Sequence, residues 1–282
     1  MKKIILLITL ILFSCAEEKP KKNITPQIAK LKILYKNRRA TADRLKDSNG
    51  WLVRNSCDAM LWAAKAGTTD CEGFFPEAAE REPGRFGRRE KPCWNEIEGD
   101  VGSKSTWSRD MFIGGLLPFI LKCKKIDMLN RHIEYGKEHK WKMGFPSFES
   151  RVYYNPQIIG TIYSIKRFLM NQDNVESPIP LFLPSGLTGY ERHLQAMHIW
   201  LRSHTEEMTF IKKARIEEHY EAEPTNPLYA FMNDSLTGNY KHTISLLLDP
   251  ENRLSSYVRC EGEPCPVAEW LFVANLVLEK EK

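Results

Sequence analysis

The sequence predicts an all-α fold, and three observations predict it. Apolar residues recur every three or four positions along most of the chain, the spacing of a helix with one buried face. Helix-start signatures stand where these stripes begin, and no segment alternates apolar and polar residues as a half-buried strand does. Roughly ten helices, joined as antiparallel hairpins within one domain, are expected.

Taken in order, Thr25-Pro26 offers an N-cap oxygen followed by a proline, whose missing N–H costs nothing in a first turn. Val53, Cys57, Met60 and Ala64 form a first stripe, and Phe112, Leu116, Phe119 and Cys123 a second. Asn155-Pro156 repeats the cap ahead of a third stripe, Ile158, Ile162, Ile165 and Leu169. Thr188 with Glu191 reads as a capping box before the fourth, Tyr190, Leu194, Met197 and Leu201. Asn226-Pro227 opens a further helix, and shorter ones are expected at 126–137, 208–220, 241–248 and 267–278.

Two breaks interrupt this regularity. Residues 70–107 are rich in Gly, Pro and Arg, with Phe74, Phe75, Phe86, Trp94 and Trp107 spread through them, which predicts an ordered, packed loop. Arg81, Arg85, Arg88 and Arg89 fall in it and suit an anionic glycan, but Glu80, Glu82 and Glu90 interleave, so an acid–base laced loop is the default. Residues 144–151 are the second break, and if the helices pair, both breaks emerge on one face and form a site there.

The N-terminus carries Lys2-Lys3, an apolar run from 4 to 13, and then Leu12-Phe13-Ser14-Cys15. A membrane-spanning helix needs about 20 apolar residues, so this run reads as a secretory leader. Its last four residues resemble the lipobox of bacterial lipoproteins. The resemblance implies removal of residues 1–14 and a diacylglycerol on the Cys15 thiol, a covalent membrane anchor. Ala16 in place of Asp implies the outer membrane, facing the periplasm, where the host is Gram-negative. Residues 15–24 then form a lipidated, polar tether and 25–282 one domain.

Removal of the leader leaves 268 residues, enough for a substantial core, and takes Lys2 and Lys3 with it, so the net charge falls from +5 to +3. That is too mild for a nucleic-acid footprint. No G-x-S-x-G, Walker or Rossmann glycine pattern occurs, so no cofactor is expected. No metal is expected either: C-x-x-C and H-E-x-x-H are missing, and His193 and His198 lie five apart, off a common helix face. Asn233, Ser235, Thr237 and Gly238 have some of the look of a calcium loop, but Ile244 stands where its bidentate Glu belongs, so a helix-ending turn is expected.

Six cysteines follow Cys15, an even number that suits disulfides in an exported chain and allows fifteen pairings. Cys260 and Cys265 are spaced for a local bridge, Cys71 and Cys93 for a clamp on the long loop. Cys57 and Cys123 sit on apolar stripes as buried thiols or as a bridge.

The strongest candidate site is Trp107-Ser108-Arg109-Asp110. Trp107 offers a flat apolar face to a sugar ring, Arg109 a rigid donor fork, and Asp110 two acceptor oxygens. The structural alternative is a helix start with Ser108 as N-cap, Asp110 on the dipole and Trp107 packed on Phe112. A Trp-x-Arg-Asp opening in a chain of helical hairpins resembles the (α/α)-toroid, six-hairpin glycosidase-like group. The resemblance implies a toroid, complete or truncated, with the Arg-Asp pair at its mouth bonding sugar hydroxyls. A hydrolase of that kind needs two facing carboxyls; Glu96, Glu98, Asp100, Glu149, Glu191 and Glu269 are the candidates, and no spacing singles out a pair. The other expectation is a helical lipoprotein that holds a glycan or a partner protein without chemistry.

Overall fold

The computed structural model describes residues 26–44, 71–73, 75–87, 109–143, 153–171, 183–250 and 264–281, with positions 46, 48 and 50. It is predominantly helical, as the periodicity predicts. The described helices are α1 (Pro26–Arg44), α2, α3 (Ile126–Glu138), α4 (Pro156–Leu169), α5 (Gly189–Ser203), α6 (Phe210–Ala222), α7 (Pro227–Thr237), α8 (Lys241–Leu248) and α9 (Pro264–Lys280). Helix α2 has three consecutive parts: Arg109–Met111, a π-helical turn Phe112–Leu116, and Leu117–Cys123.

Helix directions follow from side chains that meet. Tyr190 at the start of α5 bonds Asp110 at the start of α2, and Lys122 at the end of α2 pairs with Glu279 at the end of α9. Trp200 packs edge-on against Phe272 at 5.2 Å, and Ser164 near the end of α4 bonds Thr205 just beyond α5. Helices α2, α4, α5 and α9 therefore run from one end of the molecule, here the upper end, to the other. Tyr35 reaches Asn275 while Arg38 lies over Trp270, so α1 runs the opposite way along α9 and begins at the lower end. Helices α3, α6 and α8 return upward and α7 descends. The alternation breaks between α4 and α5, which run side by side in the same direction, so these consecutive helices are not the antiparallel hairpin expected.

The core lies between these helices. Phe119, Ile120, Ile162, Ile165, Met197, Leu201, Phe272 and Val273 are fully buried and come from α2, α4, α5 and α9. Each contributes about 1.5–3 kcal/mol by leaving water. Two expected caps form: the Asn155 side chain accepts from the Ile158 N–H at 3.0 Å, and Asn226 from Leu228 at 3.0 Å. Thr188 stands at the N-cap of α5 with extended backbone, but its side chain makes no cap bond, so the capping box is not built. Asn233, Ser235 and Thr237 lie within α7, which ends on Gly238 at φ 73°, the helix-ending turn expected there.

Two features depart from the sequence reading. Within the long loop, Glu80–Glu82 and Arg85–Phe86 pair as a short antiparallel hairpin, β1 and β2. Gly84 at its turn has φ 84°, and a Cβ there would meet the Arg131 carbonyl oxygen at 2.1 Å, so this close approach to α3 admits only glycine. The second departure is a disulfide. Cys71 is bonded to Cys123, which rules out the expected clamp between Cys71 and Cys93. Spacing along the chain favoured the nearer cysteine, but the hairpin docks on α3 and brings its flank to the end of α2. The expected bridge between Cys260 and Cys265 falls outside the described side chains, as do Cys15, Cys57 and Cys93.

Candidate functional site

Arg109 and Asp110 are the first residues of α2, and one turn later the helix widens. Gly114 and Gly115 fall within the π turn, a local widening of the kind frequent at functional sites. Phe112 stacks on His132 of α3 at 4.3 Å, while Ile113 faces the other way into a cleft.

That cleft lies at the upper end. Arg109 and Ile113 of α2, Asn155 and Ile158 at the start of α4, and Glu191, Gln195 and His198 of α5 line it. It is small, about 80 Å3, where pockets that enclose a drug-sized ligand run to about 300–1,000 Å3. Such a space admits the edge of a ring or a few hydroxyl groups.

Its polar atoms have defined roles. Thr161 donates its one hydroxyl proton to the Gln157 carbonyl at 3.1 Å, so at 2.9 Å it accepts from His198 Nδ1, whose N–H is the donor. Nε2 is then the unprotonated ring nitrogen. Burial, helped by the charges of Arg202 and Arg109, pulls the His198 pKa down to about 3, so the ring is a neutral acceptor at ordinary pH. Gln195 donates from Nε2 to the Pro184 carbonyl at 3.1 Å, and its buried Oε1 has no hydrogen-bond partner among the described residues. Arg109 Nη2 stands 3.9 Å from Glu191. That is an ion pair too long for a hydrogen bond, so both groups retain capacity for a ligand.

Asp110 does not line the cleft. Its Oδ1 accepts from the Tyr190 hydroxyl at 3.4 Å, and burial, then the Asp110 charge, raises the Tyr190 pKa. The sequence pair is thus divided, Arg109 toward the cleft and Asp110 toward Tyr190. Trp107 and Ser108 lie outside the described residues.

No family model, curated protein or solved structure matches this chain.

Of the carboxyl candidates, Glu191 lines the cleft and Glu269 is buried near the start of α9; Glu96, Glu98, Asp100 and Glu149 lie outside the described residues. Among the described residues no cluster of His, Cys, Asp and Glu is arranged to hold a metal. The Arg-rich loop is laced with acids where it is described: Arg85 pairs with Glu82 at 2.5 Å, and Arg131 of α3 with Glu80 at 2.7 Å. Burial alone would raise the Glu80 carboxyl, but the Arg131 bond, the Gly84 N–H and the Arg131 charge hold it below the usual range.

Gln195 and His198 escaped the sequence reading as site residues. Spacing offers His198 only as a metal ligand beside His193, and nothing in the pattern marks either His198 or Gln195 as lining a cleft with Arg109. A second polar group, also unforeseen, lies alongside. His219 and Tyr229 are buried with ring centroids 5.5 Å apart, next to the Arg192–Glu223 ion pair at 2.7 Å. Burial pulls His219 down to about 4.

Proposed function

We propose that this chain is a cell-envelope lipoprotein, tethered through Cys15, whose upper cleft binds hydroxyl groups at the end or edge of a glycan. The arrangement of Arg109, Glu191, Gln195 and His198 around one small opening carries this reading. Three acceptors and one donor fork match adjacent hydroxyls, each of which donates one proton and accepts another. A ligand hydroxyl that bonded Gln195 Oε1 would also relieve a buried carbonyl whose unmet bond costs about 1–3 kcal/mol.

Binding is favoured over hydrolysis because Glu191 is the one carboxyl among the described residues that lines the cleft, and Asp110 is directed to Tyr190. The Cys71–Cys123 bridge supports an oxidising, extracytoplasmic location, and Ala16 supports outer-membrane sorting in a Gram-negative host. The alternative ligand, a partner protein, has less support from an opening of this size.

A panel of monosaccharides and oligosaccharides titrated into the full-length lipidated protein, read by ligand-observed NMR, tests the proposal. At least one sugar is expected to bind, with a tenfold or greater loss of affinity in Arg109→Gln. Lack of binding across the panel, or an Arg109→Gln variant that binds as well as wild type, overturns it. Release of reducing ends that disappears in Glu191→Gln would favour the hydrolase instead.

A further inference from the structure

The lower end of the molecule carries a different surface. Phe168 and Met170 at the end of α4 are 40% and 47% exposed, and Phe210 and Ile211 at the start of α6 are 84% and 58% exposed. Both helix termini lie at this end, because Ser164 bonds Thr205 and the short connection from there leads directly into α6. Large apolar side chains held out on neighbouring helix ends mark an interaction surface. Basic residues stand at the same end: Lys124 just after α2, Lys213 two residues beyond Ile211, and Lys30 and Lys32 in the opening turns of α1, all exposed. The exposed acidic residues at this end include Asp127 and Glu207, with Glu72 next to the Cys71–Cys123 bridge and Glu77 paired with Lys125 at 3.9 Å, while Glu279 is engaged by Lys122.

The chain also enters the described fold here. Helix α1 begins at Pro26, and its antiparallel course along α9 places that start at the lower end. On the lipoprotein reading, the tether from Cys15 joins the described fold at this end, which favours its lying next to the bilayer. Exposed apolar side chains at an end that also carries exposed lysines suit a lipid surface, where the rings and aliphatic chains enter the headgroup boundary and the ammonium groups meet anionic phosphates.

We propose that the end bearing Phe168, Met170, Phe210 and Ile211 seats on the anionic phospholipid surface to which Cys15 is attached, so that the Arg109 cleft opens away from the membrane. This rests on the lipoprotein reading for the tether, but not on the identity of the cleft ligand. At about 1.5 Å per residue, the length of α5 sets the cleft roughly 20 Å farther from the headgroups.

The test uses full-length lipidated protein in vesicles of phosphatidylethanolamine and phosphatidylglycerol that contain a photoactivatable lipid, with cross-linked peptides mapped. Cross-links are expected at 168–170 and 210–211, several-fold above those at the cleft residues. They should fall at least fivefold in the Phe210→Ser, Ile211→Ser double variant, whose changes are at exposed positions and should leave its melting temperature and fatty-acid label intact. Cross-links spread evenly, cross-links centred on the cleft end, or a double variant labelled like wild type overturns the proposal. So does a dimer in detergent that the double variant dissociates, which would assign the patch to a second copy of the chain. The two readings fail separately: acylated protein without patch cross-links sinks the docking, whereas patch cross-links on a chain with no acyl group at Cys15 sink only the anchor.

Discussion

His132 donates from Nδ1 to the carbonyl oxygen of Gly84 at 2.6 Å, and its buried Nε2 has no hydrogen-bond partner among the described residues. The ring thus fastens the β1–β2 hairpin to α3 in its neutral form. Burial holds its pKa at about 4, while His198 lies at about 3 and His219 at about 4.

These histidines predict acid sensitivity, and the sign is fixed. Between pH 6.5 and about 4 the unfolded chain binds protons that the folded chain does not. Stability is therefore full above pH 6.5 and is lost as the pH falls toward 4, by about 1.4 kcal/mol per unit for each histidine. Melting temperatures at pH 7.5, 6, 5 and 4.5 should decline steeply, and His219→Phe should flatten the decline. A profile level to pH 4.5 would contradict the buried, neutral assignment.

Gly84→Ala is expected to destabilise the protein by more than about 2 kcal/mol, since it combines a left-handed backbone with a Cβ inside the Arg131 carbonyl. Urea unfolding measures it. Gly238→Ala, which meets nothing within 4 Å, should cost about 1 kcal/mol, and equal effects at the two sites would mean that the hairpin does not dock on α3.

Breaking the Cys71–Cys123 bridge frees a segment whose ends are 52 residues apart. Loop-closure entropy puts the loss at about 4 kcal/mol. Non-reducing peptide mapping should recover the Cys71–Cys123 peptide, and Cys123→Ser should unfold at clearly lower urea concentration. Recovery of a Cys71–Cys93 peptide would restore the local clamp.

Capping predicts a contrast among three starts. Asn155→Ala and Asn226→Ala should each cost about 1 kcal/mol, whereas Thr188→Ala, which loses no cap bond, should cost only a few tenths. Thermal melts decide it, and a Thr188→Ala loss as large as the others would restore the capping box.

Asp110→Asn separates the two halves of the sequence pair. Because Asp110 faces Tyr190 and lies outside the cleft lining, the change should lower sugar affinity less than threefold. A tenfold or greater loss, equal to that expected of Arg109→Gln, would return Asp110 to the binding site.

Helices were legible along the chain because their determinants are local. The spacing from Ile158 to Leu169 and the Asn155 cap act within a few turns, and the helix expected at 241–248 is found as Lys241–Leu248. Arg109, which lines the cleft, drew notice for the same reason: a charged fork at a helix start beside a break in the pattern is a local signal. Glu191 shows the limit of such reading. Its distance from Thr188 suggested a capping box, but the carboxylate stands across the cleft from Arg109.

The remaining features depend on groups far apart in sequence. Spacing along the chain favoured Cys93 for Cys71, and only the docking of the hairpin onto α3 placed it beside Cys123. His198 and Gln195 look like ordinary residues of an amphipathic helix, and their roles come from Thr161 and Pro184 on other segments. The same holds for the exposed Phe210 and Ile211: apolar residues at the start of a helix are expected to be buried, and whether a neighbour covers them is decided by how the helices pack. Periodicity and caps act over one or two turns, so the sequence alone carries the helices; cleft, bridge and exposed end arise from contacts across the chain, which only the tertiary arrangement selects.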